Sequence, residues 1–246
     1  MITRRENLFE KNQPYHIFSR AVEKRKIFND QENCYRFVFQ MYAANIGKPA
    51  YNLHRRDVIK TSQTLLMGGE ILPDFIINEH SPLVDFLSFA LVGDHYHFNL
   101  IANSEGSIPI YMQRLNIGFV KYFNLKYNRR GTLFESRYKI IPIQTNFQLD
   151  AILRYINVIN PLDIYQPGWR EKGLRNQKEA FKFLKEYPFS SFPDLFNKRN
   201  SKILAGGKIL ERFLEKEIIT SREEYLKFIK EFLEKKATLF TPLFLE

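Results

Sequence analysis

The stretch that decides the fold is Leu91–Ala102, LVGDHYHFNLIA, which predicts a turn followed by a strand. Gly93-Asp94 supplies a two-residue turn with glycine in the first central position, and apolar residues flank it on both sides. Because side chains at i and i+2 of a strand share a face, His95 and His97 would project together. Two neutral imidazoles side by side form half of a divalent metal site. The alternative is a hairpin whose two histidines only occupy a polar sheet surface.

The composition is that of a folded protein with an excess of positive charge. The 246 residues are 44% hydrophobic and 26% charged, which is enough apolar material for a core. Lys and Arg outnumber Asp and Glu by 37 to 27, giving a net charge of +10 and a pI near 9.5. This balance favours a polyanionic partner, nucleic acid before an anionic membrane. The lone Cys34 excludes an internal disulfide, and we expect it to be a small buried residue of a helix.

The chain has no apolar run long enough for a membrane span. Its N-terminus, MITRRENLFEKNQ, lacks the apolar centre of a secretory signal. We therefore expect a cytoplasmic protein with no membrane partner.

Strands and helices follow one another in an α+β order. PYHIFSR, at 14–20, alternates as a first strand, and Asp30 is placed to cap a helix over 31–44. Val84–Val92 is apolar almost throughout, the pattern of a buried strand, and it would pair with the histidine strand. A helix with one apolar face follows over 108–128.

Two segments lie outside this order. Asn45–Pro82 is interrupted by glycine and proline, and we expect an irregular insertion in which His54 and His80 lie at the surface. The tail over 221–236, SREEYLKFIKEFLEKK, predicts an amphipathic helix that packs on the body rather than one that binds a membrane or a partner helix. The prediction is thus one domain over 1–196, with an insertion over about 45–82, and a helical C-terminal extension over 197–246.

A basic hairpin and a second amphipathic helix follow the histidine strand. NRRGTLFESRYKIIPI, at 128–143, begins with a basic turn and continues into a predicted strand that carries Arg137, Tyr138 and Lys139. Basic residues interleaved with Phe134 and Tyr138 suit phosphate contact and base stacking on single-stranded nucleic acid, and a solvated hairpin is the alternative.

The second helix begins at Thr145 or Asn146, either of which could cap it, and it carries Tyr155. We expect it to end near Asn160, because Pro161 disfavours a helical residue before it.

Several stretches in this order together resemble one known family. They are YHIFSR at 15–20, GDHYHFNLI at 93–101, RRGTLFESRYK at 129–139, LRYINVINP at 153–161 and YPFSSF at 187–192. The chain resembles the single-tyrosine transposases of the HUH superfamily, in particular the REP-associated tyrosine transposase branch, over most of residues 10–195. The resemblance implies a ferredoxin-like α+β fold, which we take to be an antiparallel sheet with helices on one face.

The resemblance also implies a chemistry. His95 and His97 would hold a divalent ion, Mg²⁺ or Mn²⁺, and Tyr155 would attack a phosphodiester of single-stranded DNA. The products would be a 5′-phosphotyrosine link and a free 3′-OH. A phosphate diester is a poor electrophile, so its cleavage requires activation. A metal would polarise the phosphate oxygens, and the tyrosine would become covalently linked to the strand end.

The chain departs from the family pattern at one position. The family places an amide or acid side chain four residues after the tyrosine, where Ile159 stands here, and Asn160 follows one residue later. Five residues along an α-helix are rotated by about 100° from four, so Asn160 would reach the metal only if the last turn were widened or unwound. Asn160 is the predicted third ligand and Asn157 the weaker candidate.

The resemblance implies a metal-dependent endonuclease and strand transferase that acts on hairpin-forming single-stranded DNA, and we expect a monomer or homodimer. One alternative is a nucleic-acid-binding protein that keeps the fold and has lost cleavage, which the Ile159 departure favours. Another is a metallohydrolase with an activated water, against which stands the lack of a clear acidic third ligand. The candidate DNA-binding residues are Arg20, Arg129, Arg130, Arg137 and Lys139.

Overall fold

The computed structural model of the chain describes residues 9–49, 55–70, 73–195 and 199–204, together with Lys227 and Glu231. Apart from those two residues, the predicted tail helix over 221–236 lies outside the described residues, as does His54. None of the helices in the described part is long and apolar enough to cross a membrane.

The strands and helices in chain order are β1 (Pro14–Arg20), α1 (Gln31–Ile46), β2 (Lys48–Pro49), α2 (Arg55–Leu66), β3 (Ile76–Ile77), β4 (Val84–Val92), β5 (His95–Ala102), α3 (Ser107–Lys126), β6 (Lys139–Pro142), α4 (Asn146–Arg154), a π turn (Tyr155–Ile159), α5 (Asn160–Tyr165), α6 (Trp169–Lys172), α7 (Gln177–Glu186) and α8 (Phe192–Leu195).

Four antiparallel strands form the central sheet, in the order β4-β5-β1-β6. With α2 and the short pair β2-β3 set aside, the chain runs strand, helix, strand, strand, helix, strand, and β5 lies between β1 and β4. This is the ferredoxin-like arrangement, and it confirms the predicted α+β class with an antiparallel sheet. The register places Phe18 of β1 opposite His97 of β5 and His16 opposite Asn99.

Helices cover both faces of this sheet. Tyr96 and Phe98 belong to a hydrophobic cluster with the buried residues of α1 and α3. A second cluster joins Leu87 and Ile101 of the sheet to α4, the π turn and α5. The helices thus lie on both faces of the sheet, with α1 and α3 on one and α4 and α5 on the other. The polar histidine face of β5, which alternation would leave at the surface, is itself covered, and His97 is 0% exposed.

Local signals place the ends of several elements where the sequence predicts them. Gly93 takes a φ of +51° in the β4-β5 turn, a conformation that glycine adopts without steric cost. Asp30 caps α1 by accepting a hydrogen bond from the Glu32 amide, and Thr145 opens α4 in a capping box with Gln148. Cys34 is buried in α1 as predicted, and burial raises the pKa of its thiol.

Residues 189–191 run alongside the outer edge of β4. The Leu91 amide donates to the Phe189 carbonyl, and the Ser191 amide donates to the Phe89 carbonyl, each at 2.9 Å. Ser190 forms an antiparallel bridge with Ala90 between these two hydrogen bonds. The YPFSSF stretch therefore pairs with the edge of the sheet through its backbone.

The prediction of an irregular segment over 45–82 was wrong for residues 55–66, which form α2. Val58 is buried in a cluster with Phe39 of α1, and the Ser62 hydroxyl donates to the Tyr35 carbonyl at 2.6 Å. The polar, basic start of α2 obscures this apolar stripe in the sequence. His80 is exposed, as predicted. The division of the chain at residue 196 stays a prediction.

Candidate active site

His95 and His97 lie side by side on one face of β5. Their ring centroids are 4.9 Å apart and the ring planes are nearly perpendicular, at 85°. Both side chains are largely removed from solvent, with His95 8% and His97 0% exposed. The strand period therefore brings the two imidazoles together as the sequence predicts, but in an interior position and not on a solvated surface.

A second residue orients each ring through its Nδ1 atom. His95 Nδ1 lies 2.6 Å from Asp94 Oδ1, and because a carboxylate only accepts, the imidazole donates. His97 Nδ1 lies 3.0 Å from His16 Nε2. Histidine ligands of metals characteristically use one nitrogen for the metal and the other for such a partner. A metal would therefore be bound through the Nε2 atoms of both rings.

The Asp94 carboxyl is held in its charged form. Burial raises the pKa of Asp94, but the hydrogen bond with His95 and the positive charges of Lys26 and Arg20 act in the opposite direction, and the net pKa lies below its ordinary value. Lys26 Nζ is 3.4 Å from Asp94 Oδ2. An ionised Asp94 accepts from Nδ1 of His95, which leaves Nε2 as the atom that would bind a metal.

His16 is a site residue that we did not predict. Its ring centroid lies 5.2 Å from that of His97, and its side chain is 0% exposed. The alternation of PYHIFSR puts His16 on one face of β1, but the pairing of β1 with β5 decides which histidine it meets. That pairing is not readable from a single sequence.

Tyr155 packs edge-on against the histidines. Its ring centroid is 5.4 Å from that of His97, at an interplanar angle of 89°, and 6.4 Å from that of His16. The side chain is 2% exposed. The structure thus places the tyrosine, within one chain, against His97 of the histidine pair that the sequence singles out.

The helix that carries Tyr155 does not end at Asn160. Residues 155–159 form a π turn, closed by a hydrogen bond from the Asn160 amide to the Tyr155 carbonyl, and α5 continues to Tyr165. The predicted end before Pro161 was wrong, because the wider turn shifts the hydrogen-bond pattern at the point where proline lacks its N–H and would clash with the turn before it. The π turn thus accommodates the one additional residue that separates Tyr155 from Asn160.

The two asparagines of this segment have different partners. Asn160 is 0% exposed, and its Oδ1 accepts a hydrogen bond of 3.3 Å from Arg170 Nη2. Asn157 donates to the Leu153 carbonyl at 2.9 Å, and its Oδ1 accepts from the Ser191 hydroxyl at 2.5 Å. Asn157 therefore fastens the helix to the segment along β4, which leaves Asn160 the stronger candidate for a ligand.

A small cleft of about 40 Å³ opens beside the histidines, and it contains three of the five predicted DNA-binding residues. Arg137 and Lys139 are exposed at this cleft, and Lys139 Nζ lies 5.5 Å from the centroid of the Phe18 ring. The cleft is lined by Phe18, Ser19, Arg20, His95, His97, Glu135, Ser136, Arg137 and Lys139.

The rest of the basic hairpin differs from the prediction. Only Lys139–Pro142 is a strand, and Arg137 precedes it. Phe134 is 8% exposed and packs on Tyr96, so it is not available for base stacking. Arg129 donates to Asn124 Oδ1 at 2.8 Å and so fastens its own turn. Arg129 and the exposed Arg130 do not line the cleft.

The donor set fits a divalent ion in part. Two Nε2 atoms in oriented imidazoles suit a transition metal or Mg²⁺ supplemented by oxygen ligands. Among the described residues, no group of three or more His, Cys, Asp or Glu side chains is placed to hold a metal ion. Further ligands would have to be an amide oxygen, water or an oxygen of the substrate.

The fold and the site together define an α+β protein with a ferredoxin-like sheet, a buried histidine pair and a tyrosine packed against it. No family model matches the chain, and no curated protein matches it. Among solved structures, the chain is similar to a REP-associated tyrosine transposase bound to a REP hairpin, with 13% identity and a TM-score of 0.46. The similarity covers 84% of this chain and 93% of that one. At this distance, any functional assignment depends on the chain's own residues.

Proposed function

We propose that the protein is a metal-dependent single-strand DNA endonuclease and strand transferase that acts on hairpin-forming DNA. The observation that carries this proposal is the edge-on contact of Tyr155 with His97, at 5.4 Å between ring centroids, beside a cleft that presents Arg137 and Lys139. The proposed nucleophile thus contacts a proposed metal ligand, His97, which in turn lines the cleft with the proposed phosphate-binding cations. The contact lies within a single chain and supports a site that needs no partner subunit.

In the proposed reaction, the Tyr155 hydroxyl oxygen attacks the phosphorus of a DNA phosphodiester. The bond from tyrosine oxygen to phosphorus forms, the bond from phosphorus to the 3′ oxygen breaks, and the departing 3′ oxygen takes up a proton as the tyrosine hydroxyl loses one. The strand that follows the break stays attached through its 5′ phosphate. Reversal by another 3′-OH would join strands without an external energy source.

The residues of the chain would divide this work. His95 and His97 would hold Mg²⁺ or Mn²⁺ through Nε2, with Asn160 Oδ1 as a third ligand, and the ion would polarise the phosphate oxygens and orient the phosphate. Arg20, Arg137 and Lys139 in the cleft would contact neighbouring phosphates. Arg129 and Arg130 would act outside the cleft, on a longer stretch of the hairpin.

A second candidate function is DNA binding without cleavage. One observation favours it: Tyr155 is only 2% exposed. A protein that had lost cleavage would keep the basic cleft and the fold. It would bind hairpin DNA and form no covalent product.

The experiment that tests the proposal is incubation of end-labelled hairpin DNA with the full chain and Mn²⁺, followed by a denaturing gel. We expect a covalent protein-DNA band with the natural chain, none with Tyr155→Phe, and an undiminished band with the control Tyr165→Phe, which removes a hydroxyl from the same helical segment. Cleavage that survives Tyr155→Phe would identify a hydrolase. Binding without any cleavage would leave the second candidate.

A further inference from the structure

Arg170 joins the two ends of the π turn. Its Cζ atom lies 5.6 Å from the centroid of the Tyr155 ring, a distance typical of a cation-π contact. Its Nη2 donates to Asn160 Oδ1 at 3.3 Å. One guanidinium thus contacts both the first residue of the turn and the residue that follows it, the proposed nucleophile and the proposed third ligand.

The guanidinium is itself held from behind. Arg170 Nε donates to Asp163 Oδ1 at 3.0 Å, and Nη2 donates to Asp163 Oδ2. Trp169, which is 0% exposed, donates its indole N–H to the same Asp163 Oδ1 at 2.9 Å. The planar fork of arginine matches such a carboxylate, and lysine could not reproduce the geometry. Asp163 and Trp169 therefore fix the direction in which Arg170 points.

Stability alone does not account for this arrangement. The side chains of Arg170 and Asp163 are 32% and 29% exposed, and ion pairs near the surface add little to folding. What distinguishes Arg170 is where its contacts other than the ion pair with Asp163 lie. They fall on Tyr155 and Asn160, and they complete a series in which Asp94 orients His95 and His16 orients His97.

We propose that Arg170 is a positioning residue, which holds the Tyr155 ring and the Asn160 amide in one fixed arrangement across the π turn. The proposal deepens the proposed function and rests on it. The cation on the ring face restricts the swing of the tyrosine, and the hydrogen bond directs the amide oxygen of Asn160 toward the guanidinium side of the site. In a regular α-helical turn, a spacing of four residues would place the tyrosine and the ligand on one face. Here Ile159 occupies that position and a π turn takes the place of the regular turn, so the contacts of Arg170 hold Tyr155 and Asn160 in position instead.

The test compares Arg170→Met, Arg170→Lys and the control Arg175→Met. Arg175 is exposed and lies on the same crossing segment, so the control makes the same change of charge away from the site. Two quantities are measured with hairpin DNA and Mn²⁺: the dissociation constant, and the rate of adduct formation at saturating DNA. We expect Arg170→Met to slow adduct formation by about 10- to 100-fold with the dissociation constant unchanged, the range seen when an orienting partner is lost.

The lysine variant keeps the charge and loses the fork. Its rate should lie between those of the natural chain and Arg170→Met, and the control should match the natural chain. Equal rates in all the proteins would overturn the proposal while leaving the proposed function intact. A natural chain that forms no adduct would overturn both, so the two failures are distinguishable.

Trp169, the only tryptophan in the chain, supplies a readout independent of activity. Its indole N–H shares Asp163 with Arg170, so loss of Arg170 should shift its fluorescence emission, and Arg175→Met should not. The same measurement on Arg170→Lys reports whether the variant is folded around Asp163. An unshifted emission in Arg170→Met would show that Asp163 and Arg170 are not coupled, which overturns the proposal.

Discussion

At the scale of single residues, each proposed ligand has a partner that fixes its direction. Asp94 serves His95, His16 serves His97, and Arg170 serves Asn160. The sequence predicts the histidine pair, because the strand period alone puts i and i+2 on one face. It does not predict these partners, since they depend on side-chain rotamers and on which strand lies next to which.

The partner of His95 gives a prediction at this scale. Asp94→Asn removes the charge that keeps the His95 proton on Nδ1 while preserving the size of the side chain in the turn. We expect Mn²⁺ affinity to fall by about 10-fold, as for other lost orienting carboxylates, measured by isothermal titration calorimetry. Asp150→Asn, which changes an ion pair on the surface of α4, is the matched control and should leave the affinity unchanged. If the two variants bound Mn²⁺ with equal affinity, Asp94 would have no part in metal binding.

At the scale of secondary structure, the helix that carries Tyr155 shows what a sequence leaves undecided. Its start follows from local chemistry, the Thr145 capping box, and was predicted. Its continuation through Pro161 was not, because a chain that meets a proline either ends the helix or widens a turn. Here the choice is made by tertiary packing. Leu162 is fully buried beyond the proline, in the same cluster as the π turn.

The π turn gives a prediction at this scale. Deletion of Ile159 would place the asparagine four residues after Tyr155, so that a regular α-helical turn of about 3.6 residues presents both on one face. Because a π turn absorbs one residue locally, the flanking helices should keep their places, and adduct formation should persist. Insertion of one alanine after Ile159 exceeds what the turn accommodates and should abolish the adduct. The denaturing gel reports both, with far-ultraviolet circular dichroism as the check on folding. Loss of activity in the deletion variant and its retention in the insertion variant would contradict this account.

At the scale of the whole molecule, strand β5 is buried on both of its faces, although its sequence alternates. HYHFNL predicts one polar and one apolar face, and that alternation is correct. It cannot distinguish a polar face in water from one covered by another layer, because the covering residues lie more than 40 positions further along the chain. His95 and His97, the proposed ligands, are among the polar residues buried in this way.

The charge distribution gives a prediction at this scale. Neutralising a residue that contacts a DNA phosphate weakens binding and lowers the slope of log affinity against log salt by about one. We expect this of Arg137→Met and Lys139→Met, whose side chains are exposed at the cleft. Arg129→Met should change the slope less, because Asn124 already holds its guanidinium. Fluorescence anisotropy of a labelled hairpin across a salt series measures each slope.

Lys202→Met is the control for that series, since Lys202 pairs with Glu70 away from the cleft. Its slope should equal that of the natural chain. If all four variants lower the slope equally, DNA binding depends on the overall positive charge of the protein and not on the cleft.

The strand-like segment along β4 has a consequence for solubility. An exposed sheet edge is a template on which another chain can add a strand and begin to aggregate. Residues 189–191 lie along the edge of β4, where they form backbone hydrogen bonds with Phe89 and Leu91. At the opposite edge, β6 is only four residues long and contains Lys139 and Pro142, a charge and a residue that cannot donate a backbone hydrogen bond. Residues 89–91 of β4 and the short strand β6 are therefore poor templates for a strand from another molecule.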